Sequence, residues 1–210
     1  MEEFEMTDLG LLQYFLRLEL KQGNNGIFLN QRKYVQDLLK KFKVKESDVA
    51  FTPMNINEKL QRNDGTLSAD EKLYRSLVGG LNYLTHTRPD IAYCVSVVSR
   101  YLHSPTKQHL GAVKRVLKYL AGTVEYGIWY TKSENFKLMG YTDNDWVGSI
   151  DDRKSTSGCV FGLGSGAVTW SLKKQETVAL SSSEAEYVAA GAAGRHAVWL
   201  RKLLADLGHE

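Results

Sequence analysis

A change of hydrophobic period near residue 124 constrains this chain more than any other feature. Between Ser68 and Gly122 apolar residues recur every three or four positions, from Tyr126 to Lys174 they fall into short β-like runs, and from Ser181 to Leu207 the helical spacing returns. One kind of element cannot satisfy both patterns, because side chains share a face every 3.6 residues on a helix and every two on a strand. The spacing predicts an α+β chain: a hairpin and helix, three helices, three or four strands, then one long helix.

Local signals set the expected bounds. YFLRLELKQ and GIFLNQ flank Gly23-Asn24-Asn25-Gly26, a hairpin pattern, and Asn30 is placed to cap a helix whose apolar face is Tyr34, Val35, Leu38, Leu39 and Phe42, with a Lys-rich end over 40–45. The segment Thr52 to Leu67 is poor in apolar periodicity and reads as a long connection. Ser68 and Glu71 have capping-box spacing ahead of Leu73, Leu77, Leu81 and Leu84. Ile91, Val95, Val98 and Leu102 mark a second helix, and Ser104-Pro105 is an N-cap and first-position pair for a third. That third helix turns Leu110, Val113, Leu117 and Leu120 inward and gathers Lys107, Lys114, Arg115 and Lys118 on its other side. YGIWYTK, FKLMGYTDNDW, SGCVFGLG and AVTWSLKK read as antiparallel strands, and the last helix has Ala185, Ala189, Ala192, Trp199, Leu203 and Leu207 near one face.

Composition narrows the classes. A formal charge of +3 over 210 residues permits a phosphate-bearing partner without demanding one. Cys94 and Cys159 lack the paired spacing of a zinc site or a secreted disulfide framework, and the five histidines show no i, i+4 ligand pair. The acidic start MEEFEMTDLG has no apolar h-region, and no apolar run is long enough to cross a bilayer. The reading is an intracellular protein, cytoplasmic or nuclear, not secreted and without a membrane partner.

Several strings carry more than periodicity. YRSLVGGLNYLTHTRPDIAYCVSVVSRYLHSP, followed by HLGAVKRVLKYLAGT, resembles the connecting region after the polymerase thumb in copia-type LTR-retrotransposon Pol polyproteins. GYTDNDWVGSIDDRKSTSGCVFGLG, AVTWSLKKQETVALSSSEAEYVAA and WLRKLLADLG resemble the first part of that family's RNase H domain, in the family's order. MTDLGLLQYFLRLEL and GIFLNQRKYVQDLLKKF are similar to the polymerase segment downstream of its metal-binding aspartates. The resemblance covers essentially the whole chain. It implies a reverse transcriptase palm and thumb remnant over 1–62, a helical connection region over 63–125, and an incomplete RNase H-like domain of antiparallel strands and one long helix over 126–210. Departures from the family are Arg17 where Gly is usual, Leu110 where Trp is frequent, and His196 where an acid is common. The paired polymerase aspartates and the third and fourth RNase H carboxylates have no counterpart here.

RNase H chemistry uses two Mg²⁺ ions held by converging carboxylates for in-line attack on an RNA phosphate. The resemblance carries over two ligand positions: Asp143 in Tyr-Thr-Asp and Glu186 in Ala-Glu-Tyr. Asp145 shares a strand face with Asp143, so spacing alone leaves it open, and the bland reading of both is a solvated strand end. Glu186 has its own bland reading as the capping partner of Ser183. The serines of 181–183 lack a His/Asp arrangement and read as caps.

For an RNA/DNA hybrid or other nucleic acid, Lys107, Lys114, Arg115 and Lys118 are candidates to track phosphates, with Arg153, Lys154, Lys173 and Lys174 near the strand turns; a solvated helix face explains the first group equally well. In the family a further parallel strand flanks the one bearing Asp143. Its absence here implies an open sheet edge, self-association, and no nuclease activity from this chain by itself. Two other readings are a non-catalytic nucleic-acid-binding or interaction module and a transposon relic without selected function.

Overall fold

The computed structural model describes residues 10–44, 49–55, 58–133 and 137–209. The acidic start over 1–9, Lys45 at the basic helix end, and Phe136 at the start of one expected strand lie outside the described residues.

The first sheet is built from both sides of the helical stretch. Strands β1 (Tyr14–Phe15), β2 (Leu18–Gly23), β3 (Gly26–Asn30) and β4 (Gly127–Thr131) form one antiparallel sheet in that order. Asn24 and Asn25 turn the expected hairpin, with Gly23 opposite Gly26. Leu16 and Arg17 turn a second, tighter one at φ 47° and 62°, the left-handed pair that a two-residue hairpin demands. Leu29 faces Ile128 and Phe28 faces Trp129, so YGIWYTK completes the N-terminal sheet, and a boundary drawn at 125/126 cuts through it. Alternation reveals that a segment is a strand but not which strand it joins.

Helix α1 (Arg32–Lys41) buries Val35, Leu38 and Leu39. Asn30 does not cap it: Asn30 ends β3 opposite Gly127, is 1 % exposed, and Gln31 takes the cap position without a side-chain bond. Helices α2 (Glu71–Leu84), α3 (Ala92–Val98, with a 3₁₀ turn at each end) and α4 (Lys107–Gly122) close the main core around Tyr74, Leu77, Leu81, Val95, Val98, Val113, Leu117 and Leu120. Leu73 lies outside this stripe, on the exposed side of α2.

Both expected N-caps, Ser68 and Ser104, are displaced two residues along the chain, and for one reason. Ser68 and Thr106 pair in an antiparallel bridge, with the Ala69 amide donating to Pro105 O and the Lys107 amide to Leu67 O. An extended bridge holds both segments out of helical conformation, so capping falls to Asp70, which accepts from the Leu73 amide, and to Thr106, which forms a capping box with His109.

The second sheet is β5 (Leu138–Asp145), β6 (Thr156–Leu163) and β7 (Gly166–Lys174), antiparallel in that order, with α5 (Ser182–Asp206) packed on β5 and β6. Three strands offer α5 a narrow floor, and the stripe it buries is Ala185, Ala189 and Leu200, with His196 stacked on Phe161. Ala192, Trp199, Leu203 and Leu207, expected on that face, are exposed. The other sheet face meets the helices: Trp170 Nε1 donates to Thr85 O, and Arg100 Nη2 to Thr156 Oγ1. Among the described residues no helix is long and apolar enough to cross a membrane.

Candidate carboxylate site

Alternation along β5 sorts the site. Gly140 lies opposite Phe161, and a Cβ on it would fall 2.4 Å from the Phe161 ring, so the two share a face; Phe161 stacks on His196 of α5. Gly140, Thr142 and Asn144 therefore face α5, while Tyr141, Asp143 and Asp145 face the other way. Asp143 is exposed there, its Oδ1 accepting from the Asn144 amide at 2.8 Å. Asp145 is committed elsewhere: its Oδ2 accepts from the Tyr93 hydroxyl at 3.2 Å and lies where a Cβ on Gly148 would fall 1.8 Å away. Burial, then the Asp145 charge, raises the Tyr93 pKa, so the phenol keeps the proton it donates. Of the two aspartates, Asp143 is thus the exposed one and Asp145 the one held by Tyr93.

Glu186 is freed from its bland reading as well. The cap of α5 is two residues earlier than the Ser183 spacing suggests: Ser181 Oγ accepts from the Glu184 amide at 3.1 Å, and Glu184 Oε2 accepts from the Leu180 amide at 2.7 Å. Ser181 and Glu184 share the capping, and Glu186, one turn on, is exposed. The buried Gln175 sets the helix there, donating from Nε2 to both Ser157 Oγ and Ala185 O at 2.9 Å. Nothing in the sequence singles Gln175 out, because its role is visible only once β6, β7 and α5 meet.

Glu186 lies seven and eleven residues before Ala193 and Ala197, on the same flank of α5. That flank and β5 line a groove of about 1080 Å³, floored by Leu138, Gly140 and Phe161 and rimmed by Arg201 and Lys202. Asp143 lies on the strand face away from α5 and Glu186 on α5, so the described structure does not bring the two carboxylates together on one face of the sheet. Among the described residues no group of three or more His, Cys, Asp or Glu side chains is arranged to hold a metal ion.

The basic candidates separate. Lys107, Lys114 and Lys118 fall at i, i+7, i+11 on the exposed side of α4, with Gly111 between them. Arg115 leaves this ridge, its Nη2 donating to Thr52 Oγ1 at 2.9 Å. Arg153 is exposed at φ 56° in the turn between β5 and β6, beside the half-buried Lys154, on a different element from the α4 ridge. Lys174 is bound to Asp152 at 2.6 Å and Lys173 to Glu176 at 3.6 Å.

No family model matches the chain, and no solved structure matches it. It is 42% identical over 207 residues to the retrovirus-related Pol polyprotein from transposon RE1 of Arabidopsis thaliana, covering 99% of this chain and 14% of that protein. With the corresponding polyprotein from transposon TNT 1-94 of Nicotiana tabacum it shares 39% identity over 216 residues, 99% of this chain and 16% of that one. An uncharacterised mitochondrial protein of Arabidopsis thaliana is 38% identical over 198 residues, 93% of this chain and 81% of that protein. The chain therefore spans only a small part of the length of the transposon polyproteins it matches. With such identity over nearly all of its residues, the chain belongs to the copia-type retrotransposon Pol polyproteins, as a segment of them.

Proposed function

We propose that residues 138–206 are the opening strands and first helix of an RNase H-like unit, with Asp143 and Glu186 as two of its cation-binding carboxylates. The reaction of the complete unit is Mg²⁺-dependent hydrolysis of RNA in an RNA/DNA hybrid. One observation carries the reading: Asp143 and Glu186 are exposed, while the neighbours that compete for their roles, Asp145 and Glu184, are engaged in structural bonds. Two carboxylates do not hold the pair of ions that in-line attack uses, so this chain by itself binds a divalent cation weakly and does not hydrolyse the hybrid.

Cation binding tests the assignment directly. Addition of Mn²⁺ to isotopically labelled protein should broaden the NMR signals of residues around Asp143 and Glu186 before others, and Asp143→Asn should remove that preference. Broadening centred elsewhere, or unchanged in the variant, would refute the assignment.

A second reading, a non-catalytic nucleic-acid-binding module, is favoured by the Lys107, Lys114 and Lys118 ridge. Contacts of this kind go to phosphates and depend steeply on salt. Loss of hybrid binding on neutralising the three lysines, with binding retained in Asp143→Asn, supports that module; equal binding in all three proteins removes it.

A further inference from the structure

Thr106 and His109 open α4 with a capping box in which an imidazole stands where Glu or Gln is usual. His109 Nδ1 accepts from the Thr106 amide at 3.0 Å and Nε2 donates to Gln61 O at 3.0 Å, so the ring makes both bonds only when it is neutral. The ring is fully enclosed, with Tyr101 stacked on it at 3.8 Å.

This joint straps residues 60–66 across the start of α4. The Tyr101 hydroxyl donates to Leu60 O at 2.7 Å, and the Arg62 amide donates at 2.9 Å to Asp151 Oδ1, in the turn between β5 and β6. The enclosed Asp64 carboxylate accepts from the Thr66 amide and hydroxyl, each at 2.7 Å, and from the Thr106 hydroxyl. One short segment thus ties the helices to the second sheet. The charges facing His109 are Asp64, whose Oδ2 is 3.9 Å from Nε2, and Asp151; Arg62 and Arg100 flank Tyr101, and Lys107 shares the first turn of α4.

A proton on Nδ1 sets two donors face to face and removes the bond to the Thr106 amide. It also places a cation beside Lys107 at the positive end of a helix dipole. The acceptor nearest the charged ring is Asp64, and engaging it draws that carboxylate from the Thr106 hydroxyl. Both holds on Thr106 are then lost, and with them the bridge from Thr106 to Ser68. We propose that His109 is an acid-operated clasp, whose protonation frees residues 60–66 from the start of α4 and releases the Arg62–Asp151 tie while the helical core stays folded. Burial, which lowers the His109 pKa below 6.5, keeps the clasp closed at neutral pH. This inference does not depend on the hydrolytic reading.

Amide hydrogen exchange, corrected for its intrinsic pH dependence, separates local release from unfolding. Between about pH 7.5 and about pH 5, protection of the Arg62, Thr106 and Lys107 amides should fall about tenfold or more, while that of Leu81 and Leu117 in the core stays within about twofold. The His109 ring nitrogen shifts should titrate over the same range. His109→Gln keeps an acceptor at this capping position without a proton equilibrium, so its protection should not change with pH. Equal loss in strap and core, protection indifferent to pH, or the same loss in His109→Gln would overturn the proposal. In the original chain alone, loss of protection without titration of the His109 ring would do so too.

Discussion

Arg88 and Asp90, two residues apart where α2 gives way to α3, form a two-pronged ion pair: Arg88 Nη2 is 2.7 Å from Asp90 Oδ2 and Nε is 2.9 Å from Oδ1. The guanidinium is almost fully enclosed, also donating to Thr123 O and Oγ1 and lying over the rings of Tyr119 and Tyr126. It ties the start of α3 to the end of α4.

Removing one partner of such a pair leaves an uncompensated polar group rather than deleting a weak surface contact. Arg88→Ala is expected to cost about 3–5 kcal/mol, from the lost pair and the cavity together. Asp90→Asn, at a more exposed carboxylate, should cost about 1–3 kcal/mol. Urea unfolding followed by circular dichroism measures both, and a cost below that of an ordinary surface substitution would contradict this role.

Arg17 occupies the second left-handed position of the β1–β2 turn at φ 62°, where Gly carries no Cβ penalty. Its guanidinium lies 5.0 Å over the Tyr34 ring, which returns part of the strain. Arg17→Gly should therefore raise stability by about 0.5 kcal/mol, seen as a higher thermal midpoint. A lower midpoint would mean that the Tyr34 contact outweighs the backbone strain.

His109 is fully enclosed in its neutral form: Nδ1 accepts from the Thr106 amide at 3.0 Å, and Nε2 donates to Gln61 O at 3.0 Å. Burial lowers its pKa below the ordinary 6.5, against the opposing pull of the Gln61 carbonyl and Asp64. Because the unfolded chain binds this proton more readily, the contribution is complete above pH 6.5 and is lost as pH falls through 6.5 toward the folded value. For Asp152, burial is outweighed by Lys174 and neighbouring donors, and its pKa is held at about 2, so its contribution is lost only below pH 3.8. Denaturant midpoints across pH should fall in two steps, with the upper one absent in His109→Gln. A single step confined to strongly acid pH would count against the histidine assignment.

The sequence reveals element types better than their partners. The helical stripes around Leu77, Leu81, Val113 and Leu117 are core residues as expected, because period and burial express the same physics. Caps were displaced where a nonlocal contact competed with a local signal, as the Ser68–Thr106 bridge does at two helices. The pairing of β4 with β3 joins residues about a hundred positions apart, and no local pattern encodes it. At the candidate site, spacing left Asp143 and Asp145 equivalent. Tyr93, more than fifty residues away in sequence, separates them by taking Asp145.

Asp143 and Glu186 are proposed as cation-binding positions that do not by themselves sustain hydrolysis. Incubating the folded chain and its Asp143→Asn variant with Mg²⁺ and a labelled RNA/DNA hybrid, recording binding in the same assay, tests this. Intact RNA is expected in both reactions. RNA cleavage by the original chain that disappears in the variant would contradict it and make Asp143 a catalytic residue of a complete site.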